Sequence, residues 1–256
     1  MTSMRGRVAL VAGVGPNIGT AVAHALAEAG SAVICNDVNA RDAERCAESI
    51  QSAGYPAMAA IGDITSSADI EKILDAATNE FGIVDALVNN AAMSVSRGLL
   101  DTSLDEWQRV ISVSLTGPFL MAQAVARRLV AAQKPGAIVN VASTSGHRGR
   151  RNALAYCSAK GGVLNMTRAM AMDLAPYRIR VNSVSPTKTG AALAKGMGPE
   201  RDFSEIPLGR LGRPQDQASA ICFLLTDQAD FITGIDVRVD GGSLATWGTR
   251  SYSSAG

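Results

Sequence analysis

The chain has 256 residues, 47% hydrophobic and 18% charged, enough apolar material to bury a sizeable core in one large domain spanning residues 1–256. Its 24 Lys and Arg nearly balance 23 Asp and Glu, so no net field draws it to nucleic acid or to an acidic membrane. Small-molecule chemistry is the class that remains.

In chain order, short β-branched runs alternate with longer segments carrying apolar residues every three or four positions. Strands are predicted at 8–12, 32–36, 57–61, 84–89, 137–142, 179–184 and 236–239, and helices at 18–29, 40–53, 67–81, 104–129, 156–174 and 214–225. This rhythm implies right-handed crossovers and an α/β fold: a Rossmann-like, doubly wound parallel sheet of about seven strands with helices on both faces. Ligands then belong at the carboxyl ends of the strands. Residues 187–213 break the rhythm, and two readings stand: a substrate lid, or a surface excursion without a role.

The first apolar run is too brief for a signal segment, and no uncharged stretch reaches the roughly 18 apolar residues that span a bilayer. Cys35, Cys46, Cys157 and Cys222 are widely spaced with no CxxC pair, which suggests neither a metal site nor a disulfide framework. A cytoplasmic protein without a membrane segment is expected.

Directly after the first strand comes Gly13-Val14-Gly15-Pro16-Asn17-Ile18-Gly19, running into a helix. Glycines let the backbone approach a pyrophosphate, and the helix N-terminus offers unpaired N–H groups and partial positive charge. A tight turn that binds nothing is the competing reading. Asp37 follows Gly13 by 24 residues, at the end of the second strand, where an adenosine ribose lies in such a fold. Its carboxylate accepts from ribose hydroxyls and repels a 2′-phosphate, which favours NAD over NADP; a helix cap is the alternative.

Tyr156 and Lys160, four apart on a predicted helix, share a face, and a neighbouring ammonium lowers the pKa of a phenol. Ser143 follows the fifth strand at the ligand edge and can hydrogen-bond a substrate oxygen. On spacing alone, the three can equally be ordinary core and surface residues.

With these motifs the sequence resembles the short-chain dehydrogenase/reductase family from Gly13 to Gly242. Further matches are Asp63-Ile64, Asn89-Asn90-Ala91-Ala92, Asn182 to Pro186, Thr233-Gly234 and Asp240-Gly241-Gly242. The resemblance implies hydride transfer between NAD(H) and a secondary alcohol or ketone, with Tyr156 as general acid/base and Ser143 holding the oxygen. It further implies Lys160 on the nicotinamide ribose, Asp63 and Ile64 at the adenine, and Asn89, Asn90 and Ala91 along the cofactor. Pro186, Thr187 and Thr189 would approach the nicotinamide. A homotetramer packed through the helices at 104–129 and 156–174 is the family's usual assembly.

Three departures from the family pattern stand out. Asn17 replaces the middle glycine of the loop, and asparagine tolerates a left-handed backbone comparatively well. Ser114 replaces an asparagine that anchors a relay water; it is expected as a fourth catalytic member, or as a plain helix-interior serine. Pro186-Thr187-Lys188-Thr189 replaces a Pro-Gly turn, and Ala191 stands where a threonine is usual, so Thr187 or Thr189 would supply the missing cofactor hydrogen bond. The alternatives kept open are an NADPH-dependent 3-oxoacyl-type reductase and a non-catalytic NAD-binding scaffold.

Ser145, Met93, His147, Arg148 and Lys188 are expected to face the substrate. With Arg150, Arg151 and Lys195, the basic members of this group surround the expected pocket and suggest an anionic or polar substrate; a solvated or subunit-interface surface is the bland reading.

Overall fold

The computed structural model describes residues 3–190 and 203–246. Seven parallel strands form one sheet in the order β3-β2-β1-β4-β5-β6-β7. They are β1 (Val8–Ala12), β2 (Ala32–Asp37), β3 (Ala57–Ile61), β4 (Ala86–Asn89), β5 (Gly136–Val141), β6 (Ile179–Pro186) and β7 (Asp236–Val239). The helices are α1 (Ile18–Glu28), α2 (Ala40–Ser52), α3 (Ser67–Glu80), α4 (Leu104–Ile111), α5 (Gly117–Ala131), α6 (Leu154–Leu174) and α7 (Pro214–Leu225).

Side-chain alternation divides the core into two layers. Ala9, Val11, Val33 and Cys35 face α1, α2 and α7, whereas Val8, Leu10, Ala12 and Ile34 face α3, α5 and the end of α6. Both faces are covered, which is why the strands read as near-continuous apolar runs. The order reverses between β1 and β4, and there the strand ends open a crevice, with Ala12 in register with Asn36 on one side and Asn89 on the other.

The predicted helix at 104–129 is two helices joined by a wide π turn, Ser112–Thr116. The apolar period continues through the turn, so sequence pattern alone does not show the break. The run Leu104–Ala131 is long and apolar enough to cross a membrane by length and composition, yet half of its most apolar window is buried within the protein. Met121, Val125 and Leu129 pack on the sheet, and core burial accounts for their hydrophobicity. Cys35 and Cys46, eleven residues apart, bring their thiols within 3.6 Å in the core between β2 and α2, a proximity their spacing did not suggest.

Candidate active site

The crevice is a cleft of about 920 Å³ running from β2 and β3 across the glycine turn to β5, β6 and the start of α6, within the size range of small-molecule and cofactor pockets. The turn after β1 is tight by construction. Gly13 has φ of +91°, and a Cβ there would meet the Ala91 backbone at 2.6 Å; one on Gly19 would lie 2.0 Å from the Gly13 carbonyl oxygen. Gly15 differs, since nothing comes nearer to its Cβ position than Asp37 Oδ2 at 3.9 Å, so it presents open backbone to the cleft. Asn90 braces the turn by donating from Nδ2 to Gly13 O at 2.6 Å. Helix α1 has no side-chain cap and no acid in its first turn, so its start, with Ile18 and Gly19 on the cleft wall, keeps its partial positive charge uncompensated. That cradle fits a pyrophosphate. We expect Gly19→Ala to destabilise the fold by about 1–3 kcal/mol through overpacking against backbone and to abolish dinucleotide binding, as read by thermal denaturation and cofactor titration.

Asp37 sits in the same cleft at the end of β2. Burial pushes its carboxyl above the ordinary value, while N–H donors from Asn39, Gly15 and Val38 pull it back. The cap of α2 is Asn39, whose side chain accepts from Arg41 N, so Asp37 is not spent on capping that helix. Asp63 and Ile64 border the cleft after β3, with Asp63 accepting from both the backbone and the hydroxyl of Thr65. Asn89 turns inward to Asn140 and the Pro118 carbonyl, while Asn90 and Ala91 line the cleft.

Tyr156, Lys160 and Ser143 converge. Tyr156 and Lys160 lie in the first two turns of α6, and Ser143 follows β5 where a short 3-10 turn, Thr144–Gly146, begins. Gly146 seats that turn on α6, since a Cβ there would lie 2.6 Å from Lys160 O. Burial pushes the Tyr156 phenol above its ordinary value; a hydrogen bond from Ser143 and the charge of Arg150 oppose that shift. Arg150 stacks 5.4 Å from the centre of the tyrosine ring. The lysine was expected to acidify the phenol; instead its Nζ, 5.8 Å from the ring centre, donates to Val141 O, and burial lowers its own pKa to about 8. The serine and an arginine, rather than the lysine, oppose the effect of burial on the phenol.

The sequence departures also resolve into geometry. Asn17 has φ of −153°, so its tolerance of the left-handed region is not what admits it. Its side chain reaches across the cleft instead, donating to Thr189 O at 3.4 Å and lying against Gly190. Two departures, the loop asparagine and the altered turn at 186–189, thus contact one another. The Thr189 hydroxyl donates to Thr187 O and accepts from Gln217, and that of Thr187 points to Ser243 at 3.5 Å, while both residues and Pro186 line the cleft. Ser114, at the centre of the π turn and fully buried, accepts from Met93 N and donates to Met93 O. Its hydroxyl is spent on positioning the segment that carries Ala91 and Ala92.

Of the expected substrate residues, Ser145, Arg148 and Lys188 line the cleft, as do Arg150 and Arg151. His147 does not: its Nε2 lies 2.9 Å from Asp236 and 3.1 Å from Ser185, tying the Ser143 turn to β6 and β7. Met93 packs beside Tyr156 in a small apolar cluster rather than facing the cleft. Lys195, Ala191 and the rest of 191–202, the middle of the expected lid, lie outside the described residues. Sequence reasoning missed Glu205, which lines the cleft and meets Arg148, because an acid in an unpatterned segment carries no local signal. No group of three His, Cys, Asp or Glu side chains suits a metal ion among the described residues.

A doubly wound sheet with a glycine cradle at its switch point, and a buried tyrosine, lysine and serine gathered beside it, fits a class: the nicotinamide-dependent oxidoreductases. A family model described as enoyl-(acyl carrier protein) reductase matches residues 13–243. The cis-4-hydroxycyclohexanecarboxylate dehydrogenase of Sinomonas cyclohexanicum is 39% identical over 93% of this chain and 97% of that protein. A gluconate 5-dehydrogenase from Burkholderia cenocepacia, solved with NADP and tartrate, superposes with a TM-score of 0.90 at 32% identity, covering 96% of this chain and 98% of its own. A 3-ketoacyl-(acyl-carrier-protein) reductase from Brucella melitensis, complexed with NADH, gives 0.87 at 36% identity, covering 94% and 99%. The chain belongs to the short-chain dehydrogenase/reductase family and is an oxidoreductase.

Proposed function

We infer that the chain transfers hydride between NAD(H) and a secondary alcohol or ketone. The observation that carries this reading is the gathering of Ser143, Tyr156 and Lys160 in the same cleft as the glycine turn and the uncapped start of α1. A bound nicotinamide dinucleotide supplies the hydride donor or acceptor. Gly13, Gly15, Asn17, Ile18 and Gly19 would cradle its pyrophosphate, Asp37 would take the adenosine ribose, and Asp63 and Ile64 would flank the adenine. Asn90, Ala91, Pro186, Thr187 and Thr189 would border the remainder, with Lys160 on the second ribose.

The protein's own residues do the proton work. Ser143 holds the substrate oxygen, and Tyr156 gives it a proton in reduction or takes one in oxidation. Lys160 keeps a positive charge behind the tyrosine, held by Val141 O. Ser114 acts indirectly, by fixing the backbone at Met93.

NAD is favoured over NADP because Asp37 faces the cleft and no Arg or Lys stands among the described residues lining that end. Asp37→Ala should lower the NAD-to-NADP preference in kcat/KM by about 10- to 100-fold, the range of a lost charged hydrogen bond; an unchanged preference removes Asp37 from the argument. A homotetramer fits the exposed apolar side chains Leu104, Phe119 and Met172 on α4, α5 and α6. A reducing, cytoplasmic setting fits the four free thiols. The reading is tested by following NADH oxidation across ketones and NAD⁺ reduction across alcohols, with Tyr156→Phe as control. Inactivity of both proteins over a broad panel, with dinucleotide binding intact, would favour a scaffold.

A further inference from the structure

We propose that the substrate carries a carboxylate, received by Arg148, for which Glu205 holds the place until substrate arrives; this deepens the oxidoreductase reading and rests on it. The two ends of the cleft differ in charge. Asp37 and Asp63 line one end, whereas Arg148, Arg150, Arg151 and Lys188 gather near Ser143 and Tyr156, where Glu205 is the one acid among the described lining residues. These cations border the reaction cleft itself, which is not the place of a merely solvated face.

Arg148 is the member built to receive an anion. Its guanidinium lies against Ser243 through two long contacts, from Nη1 to the carbonyl oxygen at 3.5 Å and from Nη2 to Oγ at 3.4 Å. Ser243 Oγ in turn accepts from Thr187, which links the arginine to the cleft wall at the end of β6. Glu205 meets Nη2 through one oxygen at 3.4 Å, and the two side chains remain 37% and 46% exposed respectively. A good guanidinium–carboxylate pair is about 0.5 Å shorter and uses two parallel bonds. Each of these partners stands at 3.4 Å or more, so the arginine is placed on the cleft wall but weakly matched, and a substrate carboxylate entering the cleft can displace Glu205 and make the shorter pair. Arg150 is engaged on the Tyr156 ring, which leaves it a less suitable receiver.

The test compares 4-oxocyclohexanecarboxylate with its neutral carboxamide, using the protein with NADH bound. Wild type should prefer the acid in kcat/KM by about 10- to 100-fold, the range of a charged hydrogen bond. Arg148→Gln should bring that ratio to within about threefold of unity, and Glu205→Gln, which removes the competing charge, should lower KM for the acid severalfold. Equal use of acid and amide by wild type, or a ratio that Arg148→Gln leaves unchanged, overturns the proposal. Tyr156-dependent reduction of cyclohexanone without reduction of the acid overturns it too, while the oxidoreductase reading stands. Should no ketone be reduced, equilibrium binding decides: Arg148-dependent binding of the acid over the amide sustains the anion site, and its absence overturns it. Glu205→Gln keeps the test available if Arg148→Gln fails to fold.

Discussion

Tyr156→Phe is expected to lower kcat in both directions by roughly 10²- to 10⁴-fold, the contribution of a positioned general acid or base, while dinucleotide affinity stays within about twofold. Only the hydroxyl is removed. The ring that packs with Val110, Ala153 and Ala155, and on which Arg150 stacks, is retained, so a folded protein should result. The direction of pH dependence follows from burial, which raises the phenol's pKa above its ordinary value. Ketone reduction consumes that proton and should be the faster direction at neutral pH. Alcohol oxidation requires the phenol to be free to accept one and should rise as pH increases from 7 toward 10. Rate–pH profiles in both directions check this, and wild-type activity in the Phe variant would remove Tyr156 from the mechanism.

Lys160→Met should lower turnover by about 10²-fold or more and, at neutral pH, should also stabilise the fold. Burial sets the lysine pKa at about 8 in the folded protein against 10.5 ordinarily, so between those values the unfolded chain binds the additional proton. Stability therefore rises with pH across that window. The penalty of burying the ammonium is complete below about 8 and relieved above 10.5, with an upper size of about 3 kcal/mol. Methionine preserves most of the stem's packing but leaves Val141 O without the lysine's bond, which costs about 1 kcal/mol in return. The variant should melt above wild type at pH 7, with the gap closing or reversing by pH 10. A variant equally destabilised at both pH values would show that the lysine's charge carries no folding cost.

The parts of the site legible from sequence were those defined by short spacing. Gly13 through Gly19 is a turn entering a helix, and Tyr156 and Lys160 are one helical turn apart, so local backbone geometry places each group with little help from the remainder of the fold. Lys160 turns its Nζ to Val141 O rather than acidifying the phenol as expected, because a spacing of four places two side chains on one face without giving the distance or direction of their charged ends. His147 was misassigned for a related reason. Its neighbours in sequence enter the cleft, but its ring turns to Asp236, 89 residues away.

From its sequence alone, this protein had a determined layered architecture, because alternating periods of two and 3.6 can bury their apolar faces only in stacked helices and a parallel sheet. The position of the crevice followed, since the glycine turn directly succeeds the first strand. Only the tertiary structure decided which polar groups meet across it: Asn17 with Thr189 over 172 residues and Arg148 with Glu205 over 57. Such pairs depend on packing between elements distant in the chain, where one rotamer redirects a charge by several ångströms. No periodicity along the sequence records that choice.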